Sequence, residues 1–270
     1  MSRRVVYILL TSIVCSPVFG STVLWLTADE GTPGQPALTP VDSGDYALTV
    51  SGQNGVLYSS DVAGVGAAAS PYERSFRFDG INDLIRVTHN TVLNLTGSYT
   101  IEFFVKLTGA YTPAAEWQLF ERQAGGQEYS MYADPDPYAD LITYLVGGGG
   151  GGGFAGSGTL PAQNTWNHVA LVYDANDTAQ EAKVYINGVY KTGRNYITGQ
   201  GTNFSMTADL LLGASGVYGS RYLNGLLDEV RITDRALTPP EFLNVVPEPG
   251  TVGLLLWGAV LVGRSRRSRG

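Results

Sequence analysis

The chain has 270 residues, of which 44% are hydrophobic and only 15% are charged, and it contains 35 glycines and 16 tyrosines. This composition excludes a coiled coil, a collagen and a charged disordered chain. The formal net charge of −7 argues against a nucleic-acid partner, because nucleic-acid binding requires a basic surface. Few charges together with many glycines and aromatic residues favour an all-β domain.

The first 20 residues have the order of parts found in a secretory signal peptide. Arg3 and Arg4 are followed by an apolar run over residues 5–15 and then by Gly20, after which we place the cleavage. This run is too short to cross a hydrocarbon core of about 30 Å, so a membrane anchor is the weaker alternative. Cys15 is the only cysteine, and the processed chain would therefore contain neither disulfides nor thiolate metal ligands.

Residues 21–245 contain many short segments with the two-residue alternation of β-strands and little helical periodicity. In the clearest segment, Thr100 to Leu107, the side chains of Ile101, Phe103 and Val105 share one face. Further strands are predicted at residues 75–78, 84–87, 166–174, 183–191, 209–213 and 223–233. Many strands joined by glycine-rich turns predict an antiparallel β-sandwich.

Two local signals add detail to this sandwich. Asn187 and Gly188 tolerate the positive φ of a type I′ turn, so residues 183–191 should form a hairpin. Thr238 and Glu241 have the spacing of a capping box, and Pro239 stands at the first helical position. The only helix predicted within the domain therefore begins at Thr238.

Five motifs follow one another in the order typical of a known family. They are Ser75-Phe76-Arg77-Phe78-Asp79-Gly80, Tyr99-Thr100-Ile101-Glu102-Phe103-Phe104-Val105, Trp166-Asn167-His168-Val169-Ala170, Val184-Tyr185-Ile186-Asn187-Gly188 and Gly225-Leu226-Leu227-Asp228-Glu229-Val230-Arg231-Ile232. In these motifs the chain resembles the LamG-like jelly-roll domains of the concanavalin A-like lectin/glucanase superfamily. The resemblance implies two curved antiparallel sheets packed face to face. It does not fix the function, because this fold carries lectins, adhesion modules and enzymes.

Two stretches depart from the family pattern. The segment over residues 31–71 is long before the first matching strand, and residues 147–153 are seven consecutive glycines. Glycine loses more backbone freedom on ordering than any other residue, so we expect the seven glycines to form a mobile surface loop. The alternative is a flexible lid over a ligand groove.

The sequence predicts a protein without catalytic activity. Glycoside hydrolysis usually requires two carboxylates that flank the scissile bond. The E-x-D-x-x-E strand of glucanases with this fold is absent, and Glu116 and Glu121 would lie on opposite faces of a regular strand. His89 and His168 are the only histidines, and they form neither a zinc motif nor part of a G-x-S-x-G hydrolase pattern.

Tyrosines gather around a short acidic segment that we predict to bind a ligand. Tyr129, Tyr132 and Tyr138 are close in sequence to Asp134 and Asp136. Aromatic rings can stack on the apolar faces of sugars while nearby carboxylates accept hydrogen bonds from sugar hydroxyls. The alternative is that these tyrosines are ordinary strand residues. Further tyrosines in similar surroundings are Tyr144, Tyr218 and Tyr222.

Asp228 is predicted to be a ligand of a structural Ca²⁺. Strict two-residue alternation places its side chain on the same apolar face as Val230 and Ile232. A carboxylate on an apolar face requires a cation or several hydrogen-bond donors. The resemblance to the superfamily implies a calcium ion at the rim of the sandwich, held here by Asp228, the Gly80 carbonyl and Asp29. Hydrogen bonds from backbone N–H groups to Asp228 are the alternative.

The C-terminal residues 246–270 combine three features in a fixed order. A Pro-Glu-Pro motif precedes an apolar stretch over residues 251–263, predicted to be a short helix, and a basic end; these residues are Pro247, Glu248, Pro249, Arg264, Arg266 and Arg267. The order resembles the PEP-CTERM sorting signal of Gram-negative bacteria. That resemblance implies transient insertion into the inner membrane and processing by an exosortase, with the arginines held on the cytoplasmic side. A plain C-terminal anchor is the alternative.

Together these features predict an exported protein with a signal peptide at 1–20, one jelly-roll domain at 21–245 and a sorting tail at 246–270. We expect it at the cell surface or in the extracellular matrix, where it would bind a carbohydrate such as an exopolysaccharide without acting on it. One alternative is a structural matrix or surface-coat protein without a specific ligand. The other is a glycan-active enzyme.

Overall fold

A computed structural model describes residues 20–63, 74–110, 116–136, 139–148, 152–179, 182–191, 193 and 204–243. Several predicted features lie outside these ranges. They are residues 1–19 of the signal peptide, the ligand-binding candidate Tyr138 and the sorting-tail residues Pro247, Glu248, Pro249, Arg264, Arg266 and Arg267. The signal peptide and the sorting signal therefore stay predictions.

The described residues form fifteen β-strands. They are β1 (Thr22–Leu26), β2 (Val50–Gln53), β3 (Leu57–Ser59), β4 (Ser75–Asp79), β5 (Leu84–Val87), β6 (Tyr99–Leu107), β7 (Trp117–Ala124), β8 (Gln127–Asp134), β9 (Asp140–Val146), β10 (Gly152–Gly156), β11 (Asn167–Tyr173), β12 (Ala182–Ile186), β13 (Val189–Lys191), β14 (Leu210–Leu212) and β15 (Asn224–Thr233). The strands predicted from the sequence are all present, with ends that differ by one or two residues.

The strands build two antiparallel sheets. The eight-stranded sheet has the order β13-β12-β11-β6-β15-β4-β3, and β1 also pairs with β15. The seven-stranded sheet has the order β10-β9-β8-β7-β14-β5-β2. Consecutive strands often change sheet, as β4 and β5 or β14 and β15 do, and this is how the two sheets come to pack face to face. The predicted all-β antiparallel sandwich is confirmed.

The hydrophobic core lies between the sheets and is supplied by alternate residues of each strand. In β6 the side chains of Ile101, Phe103 and Val105 are buried in this core, as predicted. The Phe103 ring meets the Phe120 ring of the opposite sheet edge-on, with 6.1 Å between centroids. Burial of each such side chain contributes roughly 1.5–3 kcal/mol to stability, so the core can hold the domain together without a disulfide.

Both predicted local signals are present. Asn187 and Gly188 have φ values of 52° and 75° and connect β12 to β13 as a tight hairpin. The Thr238 backbone N–H donates to the Glu241 carboxylate over 2.8 Å, and a single turn of 3-10 helix spans Pro239–Glu241. A second such turn, Thr91–Leu93, was not predicted. Within the described ranges, neither of these turns approaches the length or the apolar character that crossing a membrane requires.

A β-bulge in β15 changes the position that strict alternation assigned to Asp228. Glu229 has a φ of 51°, and the pairing of β15 with β6 shifts register between Asp228 and Arg231. Val230 and Ile232 still enter the core, but Asp228 pairs with Phe104 on the outer face of the eight-stranded sheet. The prediction that Asp228 faces the core was wrong, because the extra residue of the bulge inverts the alternation.

Candidate functional site

The outer faces of the two sheets differ in what covers them. On the eight-stranded sheet, Leu237 and Phe242 of the C-terminal segment pack over Ala170 and Val172 of β11. On the seven-stranded sheet, by contrast, partly exposed aromatic side chains stand on the edge strand β10 and on its neighbour β9. The outer face of the seven-stranded sheet is therefore the candidate functional site.

Three aromatic rings form a row across strands β8, β9 and β10 on this outer face. The rings of Tyr132 and Tyr144 are nearly parallel, at 8°, with 6.2 Å between centroids. Tyr144 pairs directly with Phe154 across the β9–β10 ladder, and their ring centroids are 5.8 Å apart. Tyr144 and Phe154 are half-buried, whereas Tyr132 is buried. The row therefore offers solvent-accessible aromatic surface at its β9–β10 end.

Arg221 extends this row toward the loop between β14 and β15. Its guanidinium carbon lies 4.2 Å from the ring centroid of Tyr132 and 4.1 Å from that of Tyr218. An ion pair of 2.5 Å to Glu116 fixes the guanidinium in this position. Tyr218 is 52% exposed. Cation–π contacts on both sides thus hold an exposed tyrosine in line with the aromatic row.

Carboxylates stand beside the aromatic row on the same outer face. Glu121 is buried and accepts hydrogen bonds of 2.6 Å from the Ser215 hydroxyl and from the Gly216 backbone. Burial raises the pKa of Glu128, and the nearby charge of Glu121 adds to the rise. Burial also raises the pKa of Asp134, against the opposing hydrogen bond from the Asp136 backbone N–H. This part of the face is acidic and polar, as expected for a surface that binds hydroxyl groups.

A second β-bulge, in β7, places Glu116 and Glu121 on the same side of the sheet. The pairing of β7 with β8 shifts register between Gln118 and Phe120. Glu121 then pairs with Ser130 on the outer face, and Glu116 reaches the same face through Arg221. The expectation that these two carboxylates face apart was wrong, because it assumed a regular strand. Both carboxylates are nevertheless engaged in the contacts given above.

The structure separates the predicted ligand-binding residues into two groups. Tyr132 and Asp134 lie on the outer face, and the exposed Asp136 follows them at the end of β8. Tyr129 is fully buried on the core side, where its hydroxyl donates to the Leu93 carbonyl over 3.1 Å. The prediction that Tyr129 contacts a ligand was wrong, because it lies an odd number of residues from Tyr132 and therefore on the other face.

Sequence reasoning missed Phe154 and Arg221 as members of the site. The sequence places Tyr144 and Tyr218 in surroundings similar to those of the predicted ligand-binding tyrosines, but it does not single them out as candidates. The missed signal was cross-strand pairing, since the register of β9 with β10 brings Phe154 opposite Tyr144. Residues near the seven-glycine run gave no alternation pattern from which such a register could be read.

A shallow groove runs beside the exposed end of the aromatic row, with a volume of about 490 Å³. Ligand sites commonly have roughly 300–1,000 Å³. We call it the glycine groove, and its described lining residues are Gly125, Gly126, Gln127, Tyr144, Val146, Gly147, Gly148, Gly152, Gly153 and Phe154. Its rim is thus mostly backbone, and its walls are the two aromatic rings.

The predicted calcium ligands are only partly brought together. Asp228 is 5% exposed, and the Ala63 backbone N–H donates to its carboxylate over 3.3 Å. Burial raises the pKa of Asp228 to about 8, and the charges of Glu229 and Asp29 add to the rise. Asp29 is therefore near Asp228.

The third predicted calcium ligand, Gly80, lies elsewhere. Its neighbour Asp79 pairs with Asn224, four residues before Asp228 along β15, which places Gly80 roughly 13 Å or more away. In the described part of the chain, no three His, Cys, Asp or Glu side chains are grouped so that they could hold a metal ion. The predicted set of Asp228, Gly80 and Asp29 does not fit one calcium ion, because the strand register separates Gly80 from the two carboxylates.

His168 belongs to a buried polar cluster under the C-terminal segment. Its Nε2 lies 2.9 Å from the Glu102 carboxylate, which also accepts hydrogen bonds from Arg231 and from the Leu243 backbone N–H. Burial alone would raise the pKa of Glu102, but the hydrogen bond from His168 and the charge of Arg231 lower it overall. These groups tie residues 237–243 to the sheet, which is a structural role.

Comparisons with known proteins agree with this architecture. A sequence profile of the concanavalin A-like lectin/glucanases superfamily matches residues 79–242. No curated protein matches the sequence.

Solved structures share the fold at low sequence identity. The binding domain of Paraclostridial Mosquitocidal Protein 1 has a TM-score of 0.59 and 17% identity, over 82% of this chain and 50% of that one. Domain 4 of AbnA, a GH43 extracellular arabinanase from Geobacillus stearothermophilus, was solved in complex with arabinotriose. It has a TM-score of 0.56 and 18% identity, and the match covers 83% of this chain and 97% of that one. Botulinum neurotoxin type C depends on interaction with two ganglioside molecules to enter cells. Its structure has a TM-score of 0.56 and 14% identity, and the match covers 88% of this chain and 51% of that one. The chain thus spans about half the length of both toxin structures.

Proposed function

Because this chain belongs to the concanavalin A-like lectin/glucanase superfamily, we propose that it is a carbohydrate-binding protein whose ligand lies across the outer face of the seven-stranded sheet. The observation that carries this proposal is the aromatic row, in which Tyr132, Tyr144 and Phe154 stand on three adjacent strands. Similar folds occur in an arabinanase domain bound to arabinotriose and in a neurotoxin that interacts with gangliosides, which supports a sugar ligand.

The chemistry of the face suits a sugar. Aromatic rings provide flat apolar surface for the C–H faces of a sugar ring, and a small number of placed polar groups then fixes its orientation. Here Tyr144, Phe154 and Tyr218 supply the accessible ring surface, while the exposed Asp136 supplies an acceptor for hydroxyl groups. Tyr144 and Phe154 lie on paired strands and Arg221 packs against Tyr218, so the surface is formed before the ligand arrives and little ordering entropy is lost on binding.

We propose that binding occurs without catalysis. A glycosidase requires one carboxylate that donates a proton and another that attacks or activates water. On this face Glu121 is held by Ser215 and Gly216, and Glu116 is held by Arg221. These contacts occupy both carboxylate oxygens of Glu121 and one of Glu116, which supports a structural role for both residues.

We propose further that the protein is exported and sorted to the cell surface or the extracellular matrix, where an exopolysaccharide would be its ligand. The signal-peptide pattern at 1–20 and the Pro247-Glu248-Pro249 tail with its arginines support this part of the proposal. An exosortase and the secretion machinery would then be the partners that process the chain.

We propose a structural Ca²⁺ with a smaller ligand set than the sequence predicts. Asp228 and Asp29 would hold the ion together with backbone carbonyls, because calcium accepts six to eight oxygen ligands. The support is a buried carboxylate, Asp228, whose neighbouring charges are the carboxylates of Glu229 and Asp29.

A binding survey of single-residue variants tests the proposed function. Purified protein is applied to a glycan array, and the glycan that binds best is titrated against Tyr218→Ala and Tyr144→Ala. Loss of one stacking contact should weaken binding roughly two- to tenfold, from about 0.5–1.5 kcal/mol per ring. Tyr190→Ala is the matched control, because Tyr190 is 40% exposed but stands on the eight-stranded sheet. A wild-type protein that binds no glycan would contradict the proposal and favour a structural matrix role.

A further inference from the structure

We infer that the glycine groove selects uncharged glycan chains and rejects chains that carry a carboxylate on each sugar. This inference rests on the proposed function and concerns the chemical class of the ligand. It follows from the lining of the groove, from the state of the nearby arginines and from the carboxylates around it.

The groove offers a ligand no charged side chain among its described lining residues. Six of the ten lining residues are glycines, and the others are Gln127, Tyr144, Val146 and Phe154. Glycines carry no side chain that would cover the backbone of the rim, and backbone N–H and C=O groups that are not paired within the sheet can bond to hydroxyls. The half-buried rings of Tyr144 and Phe154 provide the surface on which a sugar can stack.

The two arginines described on this outer face are already paired. Arg221 forms an ion pair with Glu116 and lies between the rings of Tyr132 and Tyr218. Arg86, on β5, forms an ion pair of 2.6 Å with Asp209. A protein carboxylate already offsets the charge of each guanidinium, so neither arginine offers an unpaired cation to an acidic chain.

Carboxylates near the groove disfavour an acidic chain. Glu128 pairs with Val146 across the β8–β9 ladder, so its side chain stands on the same face next to the groove wall. Burial raises the pKa of Glu128 and the charge of the nearby Glu121 adds to the rise, so two carboxyl groups lie close together beside the groove. Residues 21–246 carry 11 Lys and Arg against 23 Asp and Glu, so the wider field is also negative. Like-charge contacts of this kind reject the wrong ligand.

The test compares matched hexasaccharides by titration calorimetry on the whole purified protein at pH 7.5. The uncharged probes are hexamers of β-linked glucose, galactose, mannose and arabinose. The charged probes are hexamers of galacturonate, mannuronate and guluronate. We expect the best uncharged hexamer to bind at least tenfold tighter than any uronate hexamer. Tyr144→Ala and Phe154→Ala should each weaken binding of the best uncharged hexamer roughly two- to tenfold, while Tyr190→Ala should leave its affinity unchanged.

Glu128→Gln separates charge rejection from simple shape. It should leave the affinity for the uncharged hexamer within twofold and should raise the affinity for uronate hexamers. Thermal melts establish whether each variant is folded. If an alanine variant is unfolded, Tyr144→Leu or Phe154→Leu takes its place, because leucine fills much of the volume of the lost side chain but has no aromatic ring.

The outcomes distinguish this inference from the proposed function. Tighter binding of a uronate hexamer that is still weakened by Tyr144→Ala would overturn the inference and leave carbohydrate binding intact. Binding of an uncharged hexamer that neither Tyr144→Ala nor Phe154→Ala affects would move the site away from the groove and also overturn it. If no hexamer of either class binds, both the inference and the proposed function fail.

Discussion

Replacement of Asp228 by Asn should change how the stability of the protein depends on pH. Desolvation on burial raises the pKa of Asp228 from 3.8 to about 8, and the charge of Glu229 adds to it. Between these two pH values the folded state binds a proton that the unfolded state does not. The contribution of this group to stability is therefore fully present below about pH 4 and is lost as the pH rises to about 8.

The magnitude follows from the size of the shift. At pH 7 the loss covers about three pH units above 3.8, which corresponds to roughly 4 kcal/mol at 1.36 kcal/mol per unit. Asp228→Asn cannot ionise but keeps nearly the same volume, so it should show little of this loss. Urea unfolding in EDTA at several pH values between 4 and 8 measures the difference between the wild type and the variant.

Asp177→Asn serves as the control for this measurement. The hydrogen bond from Lys183 lowers the pKa of Asp177, so this carboxyl group does not titrate between pH 4 and 8 in the folded protein. The free energy of unfolding of Asp177→Asn should therefore depend on pH between 4 and 8 as that of the wild type does. Added calcium should raise the stability of the wild type near pH 8 by about 2.7 kcal/mol at a hundred times its dissociation constant, which recovers part of the loss caused by Asp228. Equal pH slopes for the wild type and Asp228→Asn in EDTA would refute the reasoning about this buried carboxylate, and an absence of any calcium effect would refute the metal proposal.

Three further predictions concern other parts of the chain. Arg122 is fully buried, and its guanidinium donates to the carbonyls of Leu93, Met206 and Ala208 and to the Asn94 side chain. Arg122→Lys should therefore lower the free energy of unfolding, measured in urea, by at least about 2 kcal/mol. A change below about 0.5 kcal/mol would contradict this prediction. Tyr129→Phe removes one buried hydrogen bond and should lower the free energy of unfolding by about 1 kcal/mol in the same assay, while glycan affinity stays unchanged. Weaker glycan binding would instead indicate that Tyr129 belongs to the site. Protein released from the surface of a host with an exosortase should lack residues 264–269 by intact-mass analysis, and recovery of the full tail would refute the sorting proposal.

The fold was largely predictable because its strands alternate regularly and its turns carry clear local signals. β6 places Ile101 and Phe103 in the core as the alternation predicts, and Asn187-Gly188 forms the expected hairpin turn. These features depend on residues that are neighbours in sequence, so a single chain is sufficient to read them.

The site was less predictable because it depends on bulges and on strand register. Glu229 adopts a left-handed φ inside β15, and this one residue moved Asp228 from the predicted face to the other. Tyr129 and Tyr132 are close in sequence but lie on opposite faces of β8. Phe154 joins the row only through the pairing of β10 with β9. Bulge positions and register arise from long-range pairing, which short-range patterns do not contain.

A crystal structure of the protein with its tightest-binding oligosaccharide tests the central claim most directly. We predict that a sugar ring stacks on Tyr144 and Phe154, on the outer face of the seven-stranded sheet, and that hydroxyl groups bond to the glycine rim. The same crystals of Tyr144→Ala should show much weaker occupancy at this position. A sugar bound instead near Asp228, or on the outer face of the eight-stranded sheet, would contradict the claim.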